Sequence, residues 1–199
     1  MSAVRPFSAL IALVLVCGTS LAHAEGKSPD DGVYGRFDGD LDLGLALGPE
    51  FSSQGTPSPA LRGSAHYFSI VGAYVEGRAK MTDDSAPSLI GVGVDLRPLF
   101  VPRWAKGFET GPAFFDLTLD SLSLSLGGYF GALPGRPFGD QRGFEAAFGF
   151  GLPLFASARG LWLETRGILR YPDNGEREEA LLVSLSYHGL VSTPWLGSD

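Results

Sequence analysis

The amino-acid sequence predicts an all-β protein, an antiparallel up-and-down transmembrane β-barrel of eight strands. The first observation is an alternation of apolar and polar residues with a period of two, which recurs along most of the chain and is typical of two-faced strands. The second is the glycine content, 28 of 199 residues, which is roughly twice the usual share and disfavours a helical bundle. The third is that long and short connections alternate between the predicted strands.

The N-terminus has the three parts of an export signal. Arg5 supplies a positive charge, residues 7–16 are nearly all apolar, and Ala22-His23-Ala24 gives the small-x-small pattern of a cleavage site. We expect cleavage after Ala24. The predicted organisation is then a signal peptide at 1–24, a short N-terminal segment at 25–32, a barrel at 33–191 and a C-terminal tail at 192–199.

Two other uses of the N-terminus are disfavoured. A membrane anchor needs about 20 apolar residues, and this stretch has only about ten. A lipoprotein site at Cys17 needs a small preceding residue, and Val16 stands there. After Ala24 the sequence contains no run of 18 apolar residues, so it predicts no spanning helix.

The charge and the cysteine content exclude some partners and some chemistry. Lys and Arg number 15 and Asp and Glu 22, for a formal net charge of −7, which supplies no basic face for nucleic acid. A hydrophobic fraction of 44% argues against a disordered acidic chain. The single cysteine, Cys17, lies in the predicted signal, so we expect no disulfide in the mature chain.

Each predicted strand follows from its alternation. In residues 37–47 the leucines take odd positions and Asp38, Asp40 and Asp42 take even positions, so a strand carries the two sets on opposite faces. The same pattern predicts strands at 61–80, 89–97, 115–119, 122–126, 144–152, 161–171 and 181–187. Within the second strand, residues 68–70 blur the alternation.

The parity of the alternation changes at Asp120-Ser121. Apolar residues are odd-numbered in 115–119 and even-numbered in 122–126. A tight turn, a bulge or the end of a short helix opened by Pro112 would each produce this change. A turn gives eight strands, and the alternative is a seven-stranded or helix-interrupted variant.

The lengths of the predicted connections favour the interpretation with eight strands. The long connections are predicted at 48–59, 98–111, 132–141 and 172–177, and the short ones at 81–86, 120–121 and 156–159. We therefore expect long loops at one end and short turns at the other, with both termini on the short-turn side. This layout is typical of outer-membrane barrels.

The composition of the two faces indicates which one meets lipid. The polar face carries glycine, serine, alanine and charges of both signs, which suits the narrow interior of an eight-stranded barrel. The apolar face carries leucine, phenylalanine, valine and tyrosine, and strands of about ten residues are long enough to cross a bilayer. A soluble β-barrel or sandwich is the alternative.

The chain resembles the small eight-stranded outer-membrane β-barrel proteins of Gram-negative bacteria. The signal ending at Ala24 and the alternating segments 37–47, 122–130, 144–154 and 181–187 carry the resemblance. It implies a location in the outer membrane, contact with outer-membrane lipid, and assembly by periplasmic chaperones and the barrel-assembly machinery. One departure is the C-terminus, where residues 192–199 follow the last predicted strand in place of a terminal aromatic residue.

Under this register the barrel lumen contains charges of both signs. The inward residues are Arg36, Asp38, Asp40, Asp42, Arg62, Glu76, Arg78, Asp95, Arg97, Asp116, Glu145, Glu164, Arg166 and Arg170. Because an unpaired buried charge is costly, we expect a crosslinked ion-pair network that plugs the lumen. A narrow polar conduit is the alternative.

The sequence predicts no catalytic, cofactor or metal site. Asp38, Asp40 and Asp42 would lie about 6–7 Å apart along one strand face, too far for one Ca²⁺ ion to take all three. The chain lacks a Gly-x-Ser-x-Gly element and a His-Glu-x-x-His pair. His66 and His188 are the conceivable bases of an enzyme, and the alternation turns both inward.

The predicted function is a non-enzymatic outer-membrane barrel with a role in envelope structure, surface binding through its loops or narrow permeation. Trp104, Trp162 and Tyr171 are candidate interfacial anchors, although the parity of Trp162 points inward. The alternatives are a lipid-modifying outer-membrane enzyme and a soluble exported β-barrel or sandwich that binds a ligand.

Overall fold

The fold is known from a computed structural model that describes residues 34–36, 40–82, 88–132 and 137–192. These residues form eight strands and two short helices. The strands are β1 (Leu41–Ser52), β2 (Ser58–Tyr67), β3 (Val71–Arg78), β4 (Ser88–Leu96), β5 (Ser123–Ala132), β6 (Gln141–Pro153), β7 (Gly160–Pro172) and β8 (Glu178–Val191). The helices α1 (Phe100–Ala105) and α2 (Ala113–Asp120) lie between β4 and β5.

Every strand pairs antiparallel with its neighbours in sequence, and β8 pairs with β1 to close the barrel. Closure gives each strand two partners, so its backbone N–H and C=O groups bond within the sheet. The predicted fold class, an all-β antiparallel up-and-down barrel of eight strands, is confirmed.

The predicted alternation decides which side chains enter the barrel. In β1, Asp42, Ala46 and Glu50 are buried, whereas Leu45 and Leu47 are exposed on the outer wall. The other strands also alternate inward and outward residues, as β8 does over its full length, although Ala180, Leu182 and Leu190 are apolar residues on its inner face. The sequence pattern therefore predicted the orientation of the strand side chains correctly.

The count of eight strands is correct, but two of the predicted strands are wrong. The strand predicted at 61–80 is the hairpin of β2 and β3, which turns at residues 68–70. Phe68 and Ser69 adopt left-handed backbone angles there, with φ of 47° and 54°. The strand predicted at 115–119 belongs to α2, and Asp120 is the last residue of that helix. The two errors cancel in the count.

Residues next to α2 in the sequence explain why this segment is helical, although the alternation over residues 115–119 does not reveal it. Pro112 precedes the first turn as the N-cap residue in extended conformation. The carboxylate of Asp116 accepts hydrogen bonds from the backbone N–H groups of Thr110 and Gly111, which fixes the chain entering the helix. In so short a segment, a period of two cannot be distinguished from one turn of a helix.

The connections are distributed differently from the predicted layout. We call the end where β1 begins and β8 finishes the terminal end, and the opposite end the far end. Turns 68–70 and 154–159 and the longest connection, 97–122, lie at the terminal end. Connections 53–57, 79–87, 133–140 and 173–177 lie at the far end. Connection 98–111 was predicted at the end opposite the termini, and this is wrong because it lies at the terminal end. Connection 81–86 was predicted at the terminal end, and this is also wrong because β3 ends and β4 begins at the far end.

Connection 97–122, which we call the cap, packs across the mouth of the barrel at the terminal end. Leu117 of α2 is fully buried in a cluster with Ala158, Trp162 and Leu190. The Ser121 hydroxyl accepts a hydrogen bond from the Gly151 N–H at 2.8 Å. The cap is therefore bonded to β6 and closes this end.

Glycine makes room inside the barrel for the ring of Tyr74. Gly93 of β4 and Gly127 of β5 are directly paired. A Cβ atom at Gly93 would come within 2.7 Å of the Tyr74 ring, and one at Gly127 within 2.4 Å of its hydroxyl. The high glycine content thus lets a narrow barrel accommodate large side chains.

Among the described residues, no helix is long and apolar enough to span a membrane.

Candidate functional site

The barrel interior is the candidate site because it gathers charged side chains from every strand except β5, which contributes the Ser125 hydroxyl. Alternation turns each of them inward, and closure brings residues of non-adjacent strands into contact. They form two clusters. The far cluster comprises Glu50, Glu76, Arg78, Glu145, Arg170 and Glu178, and the near cluster comprises Asp42, His66, Asp95, Arg97, Glu164, Arg166 and His188. Arg62 contacts both.

Arg170 of β7 is the centre of the far cluster. Its Nη1 and Nη2 atoms bind the two carboxylate oxygens of Glu50 at 2.7 and 3.1 Å. Nη2 also donates to Glu76 at 3.0 Å, and Nε donates to Glu145 at 3.0 Å. The guanidinium is fully buried, and such charge-assisted bonds are strong where water is excluded. One side chain therefore crosslinks four strands.

The other members of the far cluster bond around this centre. Arg78 Nη1 lies 2.5 Å from both Glu50 Oε1 and Glu178 Oε1. Ser52 donates its hydroxyl to Glu178 at 2.6 Å. Tyr74 donates its hydroxyl to Glu145 at 2.6 Å. These bonds extend the crosslinking to the far mouth of the barrel.

Asp95 of β4 is the acceptor that joins the two clusters. Its Oδ2 lies 2.8 Å from His66 Nε2 and 3.7 Å from Arg62 Nη2. Its Oδ1 accepts the hydroxyl of Ser125 and lies 3.5 Å from Arg166 Nη2. Arg62 also pairs with Glu76 at 3.4 Å, so the ion pairs continue from the near cluster into the far cluster.

His188 of β8 is held between two carboxylates. Its Nδ1 lies 3.0 Å from Asp42 Oδ1, and its Nε2 lies 2.9 Å from Glu164 Oε1. An imidazole can donate from both nitrogens only when it is protonated, so this geometry favours the imidazolium form. Arg97 Nη1 completes the group by donating to Asp42 Oδ2 at 2.8 Å.

Most residues that the sequence placed in the lumen lie inside the barrel wall. These are Asp42, Arg62, Glu76, Arg78, Asp95, Glu145, Glu164, Arg166 and Arg170. Arg36 and Arg97 are buried at the terminal mouth. Asp40 is half-buried just before β1, and Asp38 lies outside the described residues.

Asp116 is not a lumen residue of a strand, because its segment is helical and forms part of the cap. Its carboxylate accepts hydrogen bonds from Tyr34 Oη at 2.9 Å, Arg103 Nη2 at 2.5 Å and Thr110 N at 2.9 Å. Burial raises the pKa of Asp116, but the bonds from Thr110, Tyr34 and Arg103 outweigh burial and hold the pKa below its ordinary value. Asp116 thus joins the segment before β1 to both parts of the cap.

Asp120 at the end of α2 has the opposite electrostatic balance. Arg103 Nε lies 2.9 Å from its Oδ1. Burial nevertheless raises the pKa of Asp120 above its ordinary value, against the opposing charges of Arg36 and Arg103.

Two buried carboxylates of the far cluster, Glu50 and Glu178, were missed by the sequence analysis. The first predicted strand stopped at residue 47, before Gly48-Pro49, and the last began at residue 181. In the structure β1 continues through Pro49, whose side chain faces outward. Continuing the alternation over even-numbered residues would have placed both glutamates inward.

The predicted anchor role is wrong for Trp162. This side chain is buried in the barrel at the terminal end, and its ring lies 5.3 Å from that of His188. Trp104 of α1 and Tyr171 of β7 are exposed, as an interfacial anchor requires.

No protein-family model matches this chain, and no curated protein matches it significantly. The geometry of the described residues therefore carries the functional argument. Among those residues, no group of three or more His, Cys, Asp or Glu side chains could hold a metal ion.

Proposed function

We propose that this protein is an outer-membrane β-barrel whose role is structural, with an apolar wall in contact with lipid and an interior crosslinked by ion pairs. The observation that carries this proposal is the apolar belt on the outside of the barrel. Each strand contributes a large exposed apolar side chain to its outer face, namely Leu45, Leu61, Val75, Val92, Leu126, Phe148, Leu169 and Leu185.

Such a belt favours lipid over water as the surrounding medium. Soluble monomers rarely expose contiguous apolar patches larger than a few hundred Å², whereas this belt runs around all eight strands. A closed barrel also satisfies its backbone hydrogen bonds internally, which the hydrocarbon core of a bilayer requires. The charged interior and the apolar exterior together match the organisation of transmembrane barrels.

The outer membrane is the location that the sequence and the topology support together. An export signal is predicted at residues 1–24, and both ends of the barrel chain lie at the terminal end. We expect outer-membrane lipid as the surrounding partner and the periplasmic chaperone and barrel-assembly machinery as transient partners. The long cap at the terminal end departs from the short periplasmic turns usual in such barrels.

A structural role is favoured over permeation because ion pairs and the cap obstruct the lumen. The interior cavity at the terminal end has a volume of about 20 Å³, close to what one water molecule needs. Ion pairs cross the lumen in both clusters, and the cap packs over one mouth. A polar solute would have to break these bonds in order to pass.

The interior of the barrel also argues against a soluble ligand-binding barrel and against a lipid-modifying enzyme. A ligand-carrying soluble barrel needs a pocket of about 300–1,000 Å³, far larger than this interior cavity. A lipid-modifying enzyme needs its base at the lipid-facing surface, whereas His66 and His188 are buried in the lumen and bonded to carboxylates. We therefore propose a non-enzymatic function.

The test of the proposal is the fractionation and gel migration of the full chain expressed with its own signal. We expect the protein in the outer-membrane fraction, extractable only with detergent, and migrating faster before boiling than after it. Recovery from the periplasm without detergent would contradict the membrane location. Identical migration before and after boiling would contradict a stable closed barrel.

A further inference from the structure

The interior cavity at the terminal end has an unusual lining. It lies between the barrel wall and the cap, and its walls include the guanidinium groups of Arg36, Arg62, Arg97 and Arg166. The carboxylates lining it belong to Asp42, Asp95 and Glu164. Four guanidinium groups thus face three carboxylates.

Four hydrogen-bond donors on residues lining this cavity lack an acceptor among the described residues. They are Arg36 Nε, Arg62 Nη2, Arg166 Nε and Trp162 Nε1, and all four atoms are buried. They come from three parts of the fold, the segment before β1, strand β2 and strand β7. A buried donor without an acceptor is costly, so four at one cavity indicate a missing acceptor.

Two of the three carboxylates around the cavity have donors on both oxygens. Asp42 accepts from His188 and Arg97 on its two oxygens. Asp95 contacts Ser125 and Arg166 through Oδ1 and His66 through Oδ2. Among the described residues that line the cavity, His66 Nδ1 is also unpartnered, because His66 bonds Asp95 through Nε2. One such nitrogen stands against four unpartnered donors, so donors are in excess and an occupant that only accepts hydrogen bonds matches the cavity better than water, which must also donate.

The charges around the cavity point to the same kind of occupant. His188, bonded at both nitrogens to carboxylates, adds a positive charge to the four guanidinium groups. Burial, and after it the nearby charge of Arg97, lowers the pKa of Arg36 to about 10, so part of the shift is repulsion between these two cations. A negative charge inside the cavity would relieve this repulsion.

We propose that this cavity is a binding site for a single chloride ion, coordinated by N–H groups of Arg36, Arg166 and Trp162. The small volume, about 20 Å³, favours a monatomic ion over a polyatomic one. Chloride would hold the cap onto the barrel, since Arg36 donates to the Leu117 carbonyl of α2 at 3.4 Å. This inference does not depend on the membrane location.

The test uses the full chain purified and folded in detergent, at constant sodium concentration and ionic strength. We expect the midpoint of thermal unfolding to rise saturably as chloride replaces gluconate, and bromide to act as chloride does. Crystals grown with bromide should show an anomalous peak beside Trp162 Nε1 and Arg166. Equal midpoints in chloride and gluconate, or no bromide peak in the cavity, would mean water only and overturn the proposal.

A matched pair of variants assigns the effect to this cavity. Trp162→Phe removes one donor and keeps an aromatic ring, and the chloride concentration at half-saturation should rise about tenfold, as expected for one lost bond to a charged group. Arg177→Gln, on the exposed far rim, should leave it unchanged. An equal shift in both variants, or no shift in either, would place the halide effect elsewhere and overturn the proposal.

Discussion

Arg170 and Glu50 are 120 positions apart in the chain and form a two-point ion pair inside the barrel, with N–O distances of 2.7 and 3.1 Å. Their strands, β7 and β1, are not neighbours in the sheet, because β8 lies between them. The pair therefore spans β8 inside the barrel and makes a connection that the sheet hydrogen bonds do not make. It depends on barrel closure and in turn favours the closed form.

Removing Arg170 should be strongly destabilising. Arg170→Met leaves Glu50, Glu76 and Glu145 buried with fewer positive partners, and breaking a buried ion pair in this way costs about 3–5 kcal/mol. We expect that loss in the free energy of unfolding measured by urea titration in detergent or liposomes. The control is Arg177→Met, whose partner is the exposed Glu179 and which should have no measurable effect. Equal stability of the two variants would contradict the central role of Arg170.

An arginine on the apolar belt should prevent assembly in a membrane. Leu45→Arg places a charge on the lipid-facing wall near mid-strand, which costs about 2–4 kcal/mol at the bilayer midplane. The fraction of folded, heat-modifiable protein in the membrane should fall sharply. Leu45→Ile should assemble normally, and so should Phe155→Arg, since Phe155 is exposed on the turn at 154–159. Normal assembly of Leu45→Arg would argue for an aqueous surrounding.

The cap should loosen when Asp116 loses its charge. Asp116→Asn weakens bonds to Arg103, Tyr34 and Thr110, and we expect a loss of about 1–3 kcal/mol in cap stability. Hydrogen exchange across residues 97–122 measures it. Because the folded pKa of Asp116 is lowered, its contribution is present above the unfolded pKa of about 3.9 and is lost as pH falls through the folded value. The variant should not show this loss, and an identical acid response in both proteins would contradict the assignment.

The contribution of Asp120 to cap stability should depend on pH in the opposite direction. Its folded pKa is raised, so its charged form opposes folding above that pKa, and protonation relieves the cost as pH falls. We expect Asp120→Asn to raise cap stability slightly at pH 7, as measured by slower hydrogen exchange in α2. Asp173→Asn, on the exposed far rim, is the control. Faster exchange in Asp120→Asn would mean that the pair with Arg103 outweighs burial.

The barrel should not conduct ions. Ion pairs cross the lumen at Arg170 and at Asp95, so the wild-type protein in planar bilayers should show no steady conductance. Arg166→Gln should lower the midpoint of thermal unfolding, because it leaves Asp95 with fewer partners. The same variant should still show no steady conductance. A stable wild-type channel whose ion selectivity changes in Arg166→Gln would instead support a permeation role.

The sequence by itself determined the two faces of the barrel. Alternation is a local property with a period of two, so the inward position of Asp42, Arg62 and Arg166 and the outward position of Leu45 followed without knowledge of any contact. The same signal failed where a segment was short. Residues 68–70 are a turn closed by the backbone bond from Ile70 N–H to the Tyr67 carbonyl. Residues 115–119 are helical because Pro112 and the bonds from backbone N–H groups to the Asp116 carboxylate fix the start of the helix.

Only the tertiary structure decided which charges meet. Strand pairing fixes the register, and closure then brings β1, β3, β6 and β7 around Arg170. It also places Trp162 under the cap, with its indole buried. No local pattern encodes these contacts, because ion pairs across the lumen join residues far apart in sequence and depend on the strand order and tilt of the closed sheet.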